Sequence, residues 1–221
     1  MRATFAIPER ARIGFIGPSG AGKSTLLNAI AGFVPLAAGS IRWKGNDISA
    51  LSPAERPVSI VFQDNNLFPH LSVSDNVGLG INPKLKLTPD QRKATLAALE
   101  RVGLSDKGKR MPGSLSGGQH SRVALARILV QQRPLILLDE PFAALGPAQR
   151  KDMLHEVASV QDALGATVLM ISHDPGDIRA FATHASFVDE GEAAAPVPTK
   201  DLFAAPPEGL AEYLGQKETR P

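Results

Sequence analysis

Short apolar runs alternate along the chain with longer segments in which apolar residues recur at helical spacing. Runs of four or five aliphatic, β-branched and aromatic residues predict buried strands, because a strand covered on both faces has few polar positions. The predicted strands span residues 12–16, 40–43, 58–62, 135–138, 167–171 and 185–188. This alternation favours an α/β fold with a mainly parallel sheet that is covered on both faces.

The pattern changes between residues 72 and 130, where strand-like runs disappear and helical segments such as "LTPDQRKATLAALERVGL" take over. We interpret 72–130 as a helical subdomain inserted into a core of about 1–71 and 131–192. From Ala193 the chain carries "APVP" and then "TKDLFAAPPEGLAEYLG", which predict a turn and short helical pieces. We therefore expect one domain over residues 1–221, with 193–221 as a short C-terminal tail.

Composition narrows the classes of function. The 221 residues carry a net charge of +2, and the lysines and arginines are scattered, so no nucleic acid is expected as a partner. The absence of cysteine excludes disulfides and thiolate metal sites, and it fits a reducing compartment. No signal-peptide core begins the sequence, and no apolar run approaches the roughly 20 residues of a membrane span. We expect a soluble chain.

The stretch "GFIGPSGAGKSTLLNAIAGF" at residues 14–33 places a glycine-rich loop between a predicted strand and a predicted helix. Gly17, Gly22, Lys23 and Ser24 match the spacing G-x-x-x-x-G-K-[ST], in which backbone N–H groups and a helix N-terminus surround a polyphosphate. The lysine adds a positive charge near the outer phosphates, and the hydroxyl ligates magnesium. The alternative is a glycine turn before an ordinary helix, which matches this spacing by chance in roughly one chain in a hundred. The spacing predicts mononucleotide binding.

Two adjacent carboxylates, Asp139 and Glu140, follow the apolar run "RPLILLDEP". In open α/β sheets, ligand-binding groups gather beyond the carboxyl ends of the strands, so these acids are expected to face the same crevice as the glycine loop. Asp139 is suited to hold magnesium through water, and Glu140 to polarise an attacking water. The alternative is an ordinary strand that ends in solvated acids.

Gln63 and His173 each come directly after a predicted strand, in "SIVFQDNNLF" and "TVLMISHDPGD". Gln63 is placed to reach a metal or its waters, and an imidazole at His173 is able to hydrogen-bond a terminal phosphate. Each residue also has an ordinary interpretation, a surface glutamine in one case and an incidental histidine in a helix-capping loop in the other.

The segment "LSGGQHSRVALARILV" begins with Ser116 and has Gln119 three residues later, the spacing of a helix capping box. Two glycines in the first turn, Gly117 and Gly118, are poor helix formers. They favour a helix N-terminus that approaches a phosphate closely, and we interpret it as a second anion site that serves a nucleotide held by another subunit.

Taken in order, "GPSGAGKS", Gln63, "LSGGQ", "LILLDEP" and "SHD" resemble the ATP-binding subunits of ABC transporters over nearly the whole chain. The resemblance implies a P-loop NTPase fold of the ABC type, with ATP and Mg²⁺ as cofactors. Glu140 is implied as the catalytic base and His173 as the γ-phosphate switch. The residues implied to contact ATP are Gly17, Pro18, Ser19, Gly20, Ala21, Gly22, Lys23, Ser24 and Thr25. The residues implied to hold the metal are Ser24, Gln63 and Asp139.

The same resemblance implies the partners. Two copies pair head to tail, so that Ser116, Gly117, Gly118 and Gln119 of one chain face the nucleotide of the other. ATP hydrolysis then opens and closes a membrane channel formed by integral permease subunits, which receive cargo from a periplasmic substrate-binding protein. Such a subunit lies at the cytoplasmic face of the cell (inner) membrane as a peripheral protein.

The segment "FQDNNLFPHLSVSDNVGLGINPKLKLT" looks like the corresponding part of bacterial thiamine importers. The expected cargo is therefore thiamine or its phosphates, and the alternative is another small nutrient. This segment is expected to face the membrane subunits.

Two positions depart from the family pattern. Only sixteen residues precede Gly17, so the small antiparallel N-terminal part is expected to be truncated, with Phe5 within a strand rather than in the loop that stacks on adenine. Gly146 stands where the family usually has aspartate, although glycine before Pro147 is an acceptable helix cap. These departures leave a weakly hydrolysing regulatory subunit as an alternative function.

Other classes fit less well. A GTPase is expected to carry an N-K-x-D motif, which the sequence lacks, and neither a GTPase nor a small-molecule kinase explains "LSGGQ". Soluble ABC proteins of translation or DNA repair usually carry two cassettes or a long coiled coil, and neither is present in these residues.

Overall fold

The computed structural model describes residues 1–64 and 66–215. Asn65 of the segment "NNLF" and residues 216–221 of the predicted tail lie outside the described residues. The strands are β1 Arg2–Ala3, β2 Arg12–Ile16, β3 Arg42–Trp43, β4 Asn46–Asp47, β5 Val58–Val61, β6 Leu135–Asp139, β7 Thr167–Ile171, β8 His184–Asp189, β9 Glu192–Ala193 and β10 Val197–Pro198. The helices are α1 Lys23–Ala31, α2 Val73–Gly78, α3 Pro89–Arg101, α4 Gly117–Gln131, α5 Pro147–Leu164, α6 Pro175–Phe181, α7 Thr199–Ala204 and α8 Glu208–Tyr213, with 3-10 turns at Ser105–Lys107 and Pro112–Ser114.

The apolar runs fold as predicted, and the α/β fold class is confirmed. β2 and β7 match their predicted bounds, β5 and β6 differ from theirs by one residue at one end, and β8 is one residue longer at each end. The exception is the run at 40–43, of which only Arg42–Trp43 is strand. The helical stretch contains α2, α3 and α4, and the tail contains the two short helices α7 and α8.

The described residues form two compact units. The described residues of the first are 1–58 and 167–215. Its main sheet has the strand order β1, β9, β8, β2, β7, and β10 also pairs with β8. β2 is parallel to both β7 and β8, and β9 and β10 are antiparallel to β8. A separate antiparallel pair is formed by β3 and β4.

The second unit, Ser59–Ala166, contains β6 and most of β5 as neighbouring strands, together with α2 to α5. Its core includes Leu137 and Leu138 of β6 and Leu125 of α4, all at most 2% exposed. These units do not follow the predicted subdivision into 1–71, 72–130, 131–192 and 193–221, which stays a prediction.

Helix boundaries follow from local chemistry. α3 begins with a capping box between Thr88 and Gln91 and has Pro89 at its first position, where the missing N–H costs nothing. α1 ends at Gly32, whose φ of 90° is accessible to glycine without strain. Signals of this kind act over three or four residues, which is why the sequence reveals them.

The expected position of Phe5 is wrong. The first strand is Arg2–Ala3, so Phe5 lies outside it. The Phe5 ring lies 6.2 Å from the ring of Phe15, which is fully buried. Burial against the core therefore decides where Phe5 sits. The N-terminal strand expected around Phe5 is instead β1, whose two residues pair with β9 near the other end of the chain.

Candidate functional site

The glycine loop after β2 has a backbone that glycine alone adopts easily. Gly17, Gly20 and Gly22 have φ angles of 154°, 82° and 101°. A Cβ atom on Gly17 would lie 1.9 Å from the carbonyl oxygen of Val188, so the loop requires glycine there for space as well as for conformation. The loop therefore wraps tightly at the C-terminal end of β2, as the spacing predicts.

Lys23 is the first residue of α1, and its side chain folds back over the loop. Its Nζ atom donates to the carbonyls of Gly17 and Pro18, both at 2.7 Å, and the residue is 7% exposed. Gly22 caps α1 without a side-chain hydrogen bond, and the first turn contains no acidic residue. The ammonium and the positive end of the helix dipole thus act on the same loop, which suits a polyphosphate.

The structure brings His173 to the same edge of the sheet in the first unit. β2 and β7 are parallel, and Phe15 of β2 pairs with Ile171 of β7. Gly17 lies two residues after Phe15 and His173 lies two residues after Ile171, so both residues leave the sheet at the same edge. The His173 loop is held by its neighbours, because the Ser172 hydroxyl donates to the Asp177 carboxylate at 2.9 Å and the Tyr213 hydroxyl donates to the His173 carbonyl at 2.8 Å. Its imidazole is exposed.

Gln63, Asp139 and Glu140 belong to the second unit. Gln63 is exposed and lies two residues after β5, and Asp139 is the last residue of the neighbouring strand β6. Glu140 has a φ of 45°, a conformation that costs a non-glycine residue of the order of 1 kcal/mol or more. Glu190, which directly follows β8, has nearly the same φ of 44°, so this conformation marks the turn out of a strand.

The "LSGGQ" segment forms the first turn of α4, as predicted. Ser116 and Gln119 form a capping box, in which the Gln119 N–H donates to the Ser116 hydroxyl at 3.4 Å and the Ser116 N–H donates to the Gln119 side chain at 3.1 Å. This turn lies against the loop after Glu140. The Ser121 hydroxyl reaches the Pro141 carbonyl at 3.5 Å, and a Cβ atom on Gly117 would meet Leu145 at 3.5 Å.

The metal ligands of the prediction are oxygen donors. Ser24 supplies a hydroxyl, Gln63 an amide carbonyl and Asp139 a carboxylate, the hard donors that Mg²⁺ prefers. Over residues 1–64 and 66–215 no group of three or more His, Asp or Glu side chains is arranged to hold a metal ion. The donor chemistry fits Mg²⁺ that brings most of its ligands as phosphate oxygens and waters.

Sequence reasoning missed Arg56, which stabilises the far end of the phosphate-loop helix. The residue is 3% exposed, and its guanidinium donates to the carbonyls of Ala29, Ile30, Ser49 and Leu51 at 2.7 to 3.1 Å. Burial lowers the pKa of Arg56. In the sequence Arg56 appears simply as an arginine before Pro57, and nothing in that pattern distinguishes it from a surface residue.

The ABC transporter family model matches residues 1–143 of the chain. The chain belongs to the ABC transporter family. Relatives named thiamine import ATP-binding protein ThiQ include one from Cereibacter sphaeroides, 56% identical over 92% of this chain and 88% of its own length. Another, from Ruegeria sp., is 52% identical over 97% of this chain and 93% of its own length.

Two solved structures share the fold. A nucleotide-free ATP-binding cassette from an ABC transporter superposes with a TM-score of 0.81 at 25% identity, over 90% of this chain and 87% of its own. A dimeric ATP-binding cassette in a post-hydrolysis state with bound ADP and phosphate gives a TM-score of 0.77 at 30% identity, with 88% of each chain covered. The chain is an ABC-type ATPase, and ATP is its nucleotide. Among the described residues, no helix has both the length and the apolar character that crossing a membrane requires.

Proposed function

We propose that this chain is the ATP-hydrolysing subunit of an importer for thiamine or its phosphates. The observation that carries the proposal is the identity of 50–56% to relatives named for thiamine import, over at least 90% of the chain. Family membership supports ATP hydrolysis in general, and this level of identity supports the more specific assignment of thiamine or its phosphates as the cargo. The segment at residues 62–88, which looks like that of thiamine importers, supports the same cargo.

ATP binds at the loop of Gly17 to Thr25 in this proposal. The N–H groups of the loop and of the first turn of α1 bind the phosphates, because no side chain caps that helix. Lys23 moves its Nζ from the loop carbonyls toward the outer phosphates as the negative charge arrives. Ser24, Gln63 and Asp139 would hold Mg²⁺ directly or through water, and the ion would supply positive charge beside the phosphate oxygens.

Hydrolysis depends on Glu140 and His173. Glu140 accepts the proton of the attacking water, and it directly follows β6, whose last residue is Asp139. His173 hydrogen-bonds the γ-phosphate, and the loop that carries it is held by Ser172 and Tyr213. These groups position and polarise rather than form covalent bonds, as phosphoryl transfer requires.

The working unit in this proposal contains two copies of the chain. The segment Ser116 to Gln119 of one copy binds the ATP of the other through the N-terminus of α4, a 15-residue helix. A dimeric cassette with bound ADP and phosphate among the structural relatives supports this arrangement. The dimer sits on integral permease subunits at the cytoplasmic face of the inner membrane, and a periplasmic substrate-binding protein delivers the cargo.

The decisive experiment joins cargo identity to ATP hydrolysis. The chain is co-purified with its permease, reconstituted in vesicles and supplied with thiamine, thiamine phosphates or unrelated vitamins, together with the periplasmic binding protein. We expect thiamine compounds alone to stimulate both uptake and ATP turnover. Stimulation by a different nutrient would overturn the cargo, and ATP binding without appreciable turnover would favour a regulatory subunit, the alternative that Gly146 raises.

Glu140→Gln tests the chemistry in the same vesicles. An amide cannot accept the proton of water, so we expect ATP turnover and uptake to fall by at least about a hundredfold, while ATP affinity stays the same. ATP is then expected to hold a stable dimer, which sedimentation measures. Turnover at the parental rate would show that Glu140 is not the base.

A further inference from the structure

Asn76 of α2 ties down the loop that follows Gln63. We define this 66–72 loop as residues 66 to 72, all of them described. Asn76 is fully buried, and its Oδ1 accepts from the Phe68 N–H at 2.8 Å. Its Nδ2 lies within hydrogen-bond distance of the carbonyls of Phe68, Leu71 and Ser72, at 3.0 to 3.1 Å. One buried amide therefore serves the backbone of the loop at several points.

Arg127 of α4 contacts the same residue and the same loop. Its Nε donates to the Asn76 carbonyl at 3.0 Å, and its Nη2 donates to Asn76 Oδ1 at 3.1 Å. Its Nη1 donates to the carbonyl of Asn66 at 3.2 Å. Burial lowers the pKa of Arg127, so the guanidinium is placed here against a desolvation cost. We call this pair of side chains the Asn76–Arg127 clasp.

The outer side of the 66–72 loop carries exposed aromatic side chains. The Phe68 side chain is 46% exposed although both its N–H and its carbonyl are bonded to Asn76. Its ring meets that of His70 edge-on at 5.9 Å, and His70 is also exposed. The loop thus presents aromatic groups outward on a backbone that is fixed from within.

We propose that the Asn76–Arg127 clasp makes the 66–72 loop and the signature helix α4 move as one body. Arg127 is in the same unbroken helix as the signature turn, ten residues from Gly117, which corresponds to about 15 Å of helix. A displacement of the loop by a membrane partner then shifts Ser116 to Gln119 through a rigid rod. Asn76 and Arg127 are positioning residues, and this role in coupling rests on the proposed function.

A purely structural role makes a different prediction. Loop backbone groups at a surface can be satisfied by water, and an apolar contact would hold α2 to α4 without burying a guanidinium. Loss of a structural contact lowers stability and all activities together. Loss of a coupling contact lowers the response to the permease while leaving the isolated ATPase largely intact.

The first measurement is amide hydrogen exchange on the full chain, without permease. Arg127→Lys keeps the charge but loses the fork of donors, so we expect the amides of Phe68 and Leu71 to exchange about tenfold faster. Asn76→Asp loses the amide donors and is a second variant. The controls are Arg101→Lys on α3, where Arg101 makes one long contact with the Ser159 carbonyl, and Asn82→Ala in the following exposed turn. Unchanged exchange in the 66–72 loop of Arg127→Lys would overturn the proposal.

The second measurement is ATP turnover of the Arg127→Lys protein, alone and with the reconstituted permease, binding protein and thiamine. We expect basal turnover and the KM for ATP within about twofold of the parental values, and stimulation by the complex reduced about fivefold or more. An equal fall of basal and stimulated turnover, or full stimulation despite a loosened loop, would overturn the coupling role. If the parental complex shows no thiamine stimulation, the proposed function fails, whereas the exchange experiment still decides the link.

Discussion

At the scale of single residues, Arg56 is a buried side chain that contributes to the stability of the fold and takes no part in the proposed ATP hydrolysis. Its four hydrogen bonds go to carbonyls of α1 and of the segment around Ser49. The carbonyls of Ala29 and Ile30 are among the last of α1, and the Ala29 carbonyl also accepts from the Gly32 N–H at 3.2 Å, so Arg56 acts as a further cap from a distant part of the chain. A Cβ atom on Gly32 would lie 2.7 Å from Nε of Arg56, so the glycine leaves room for the Arg56 side chain.

Arg56→Ala is expected to lower the free energy of unfolding by about 2–4 kcal/mol, because it removes four hydrogen bonds at a buried site, including those to the carbonyls of Ile30, Ser49 and Leu51. Chemical denaturation measures the change. Arg92→Ala is the control, since Arg92 is exposed on α3 and its loss is expected to change stability by less than about 0.5 kcal/mol. Equal stability of the two variants would contradict the role assigned to Arg56.

At the scale of elements, the four longest helices have two kinds of N-terminus. α3 and α4 are closed by capping boxes made of their own side chains, whereas α1 and α5 begin at glycines without a side-chain cap. At α1 the uncapped N–H groups face the phosphate loop. At α5 the cap is Gly146, whose φ of −68° any residue adopts, and a Cβ atom added there would have no neighbour within 4 Å among the described residues. The fold therefore accepts an aspartate at Gly146.

Gly146→Asp is expected to raise stimulated ATP turnover in the assembled transporter, because the family's carboxylate at this position acts across the dimer interface. Stability is expected to change by only a few tenths of a kcal/mol, since glycine already caps adequately. Turnover is compared between the reconstituted complex and dilute isolated subunit. An equal gain in the isolated subunit would place the effect inside one chain and contradict the account.

Tyr213→Phe tests whether the C-terminal helix α8 positions the His173 loop. Losing one hydrogen bond to the His173 carbonyl is expected to lower kcat about threefold to tenfold, with the KM for ATP unchanged. Steady-state kinetics separate the two constants. Tyr213→Phe keeps the ring and its packing, so an unchanged kcat would show that the hydroxyl has no positioning role.

At the scale of the whole molecule, the proposed sites are shared between two copies. Lys23 and His173 lie in one compact unit, and the signature turn Ser116 to Gln119 lies in the other. In a head-to-tail dimer each ATP meets the loop of one copy and the signature turn of its partner. A mixed dimer, with the phosphate loop damaged in one chain and the signature turn damaged in the other, then keeps one intact ATP site. A dimer in which both chains carry the same damage keeps none.

Mixing Lys23→Ala with Ser116→Arg protein tests this directly. Each variant alone is expected to be inactive, because every site in its dimer lacks one component. In an equal mixture half of the dimers are mixed and each has one intact site, so turnover is expected to recover to at most about a quarter of the parental value. No recovery, with mixed dimers shown by a tag on one chain, would contradict sharing between subunits.

Features whose physical cause is local can be read from the sequence alone. Apolar runs specified β2 and β7 to the residue, glycine and lysine spacing specified the loop before α1, and the capping box specified the start of α4. Each depends on conformational preferences or hydrogen bonds that span a few residues, so reading along the chain was sufficient.

The folded structure, by contrast, establishes which distant residues meet. It paired β1 with β9, set the Phe5 ring against Phe15, and brought His173 to the sheet edge of the glycine loop. It also gave Arg56 and Arg127 their carbonyl partners, although both look like ordinary surface arginines in the sequence. Such contacts depend on chain segments that are far apart until folding buries them together, and no short-range pattern records them.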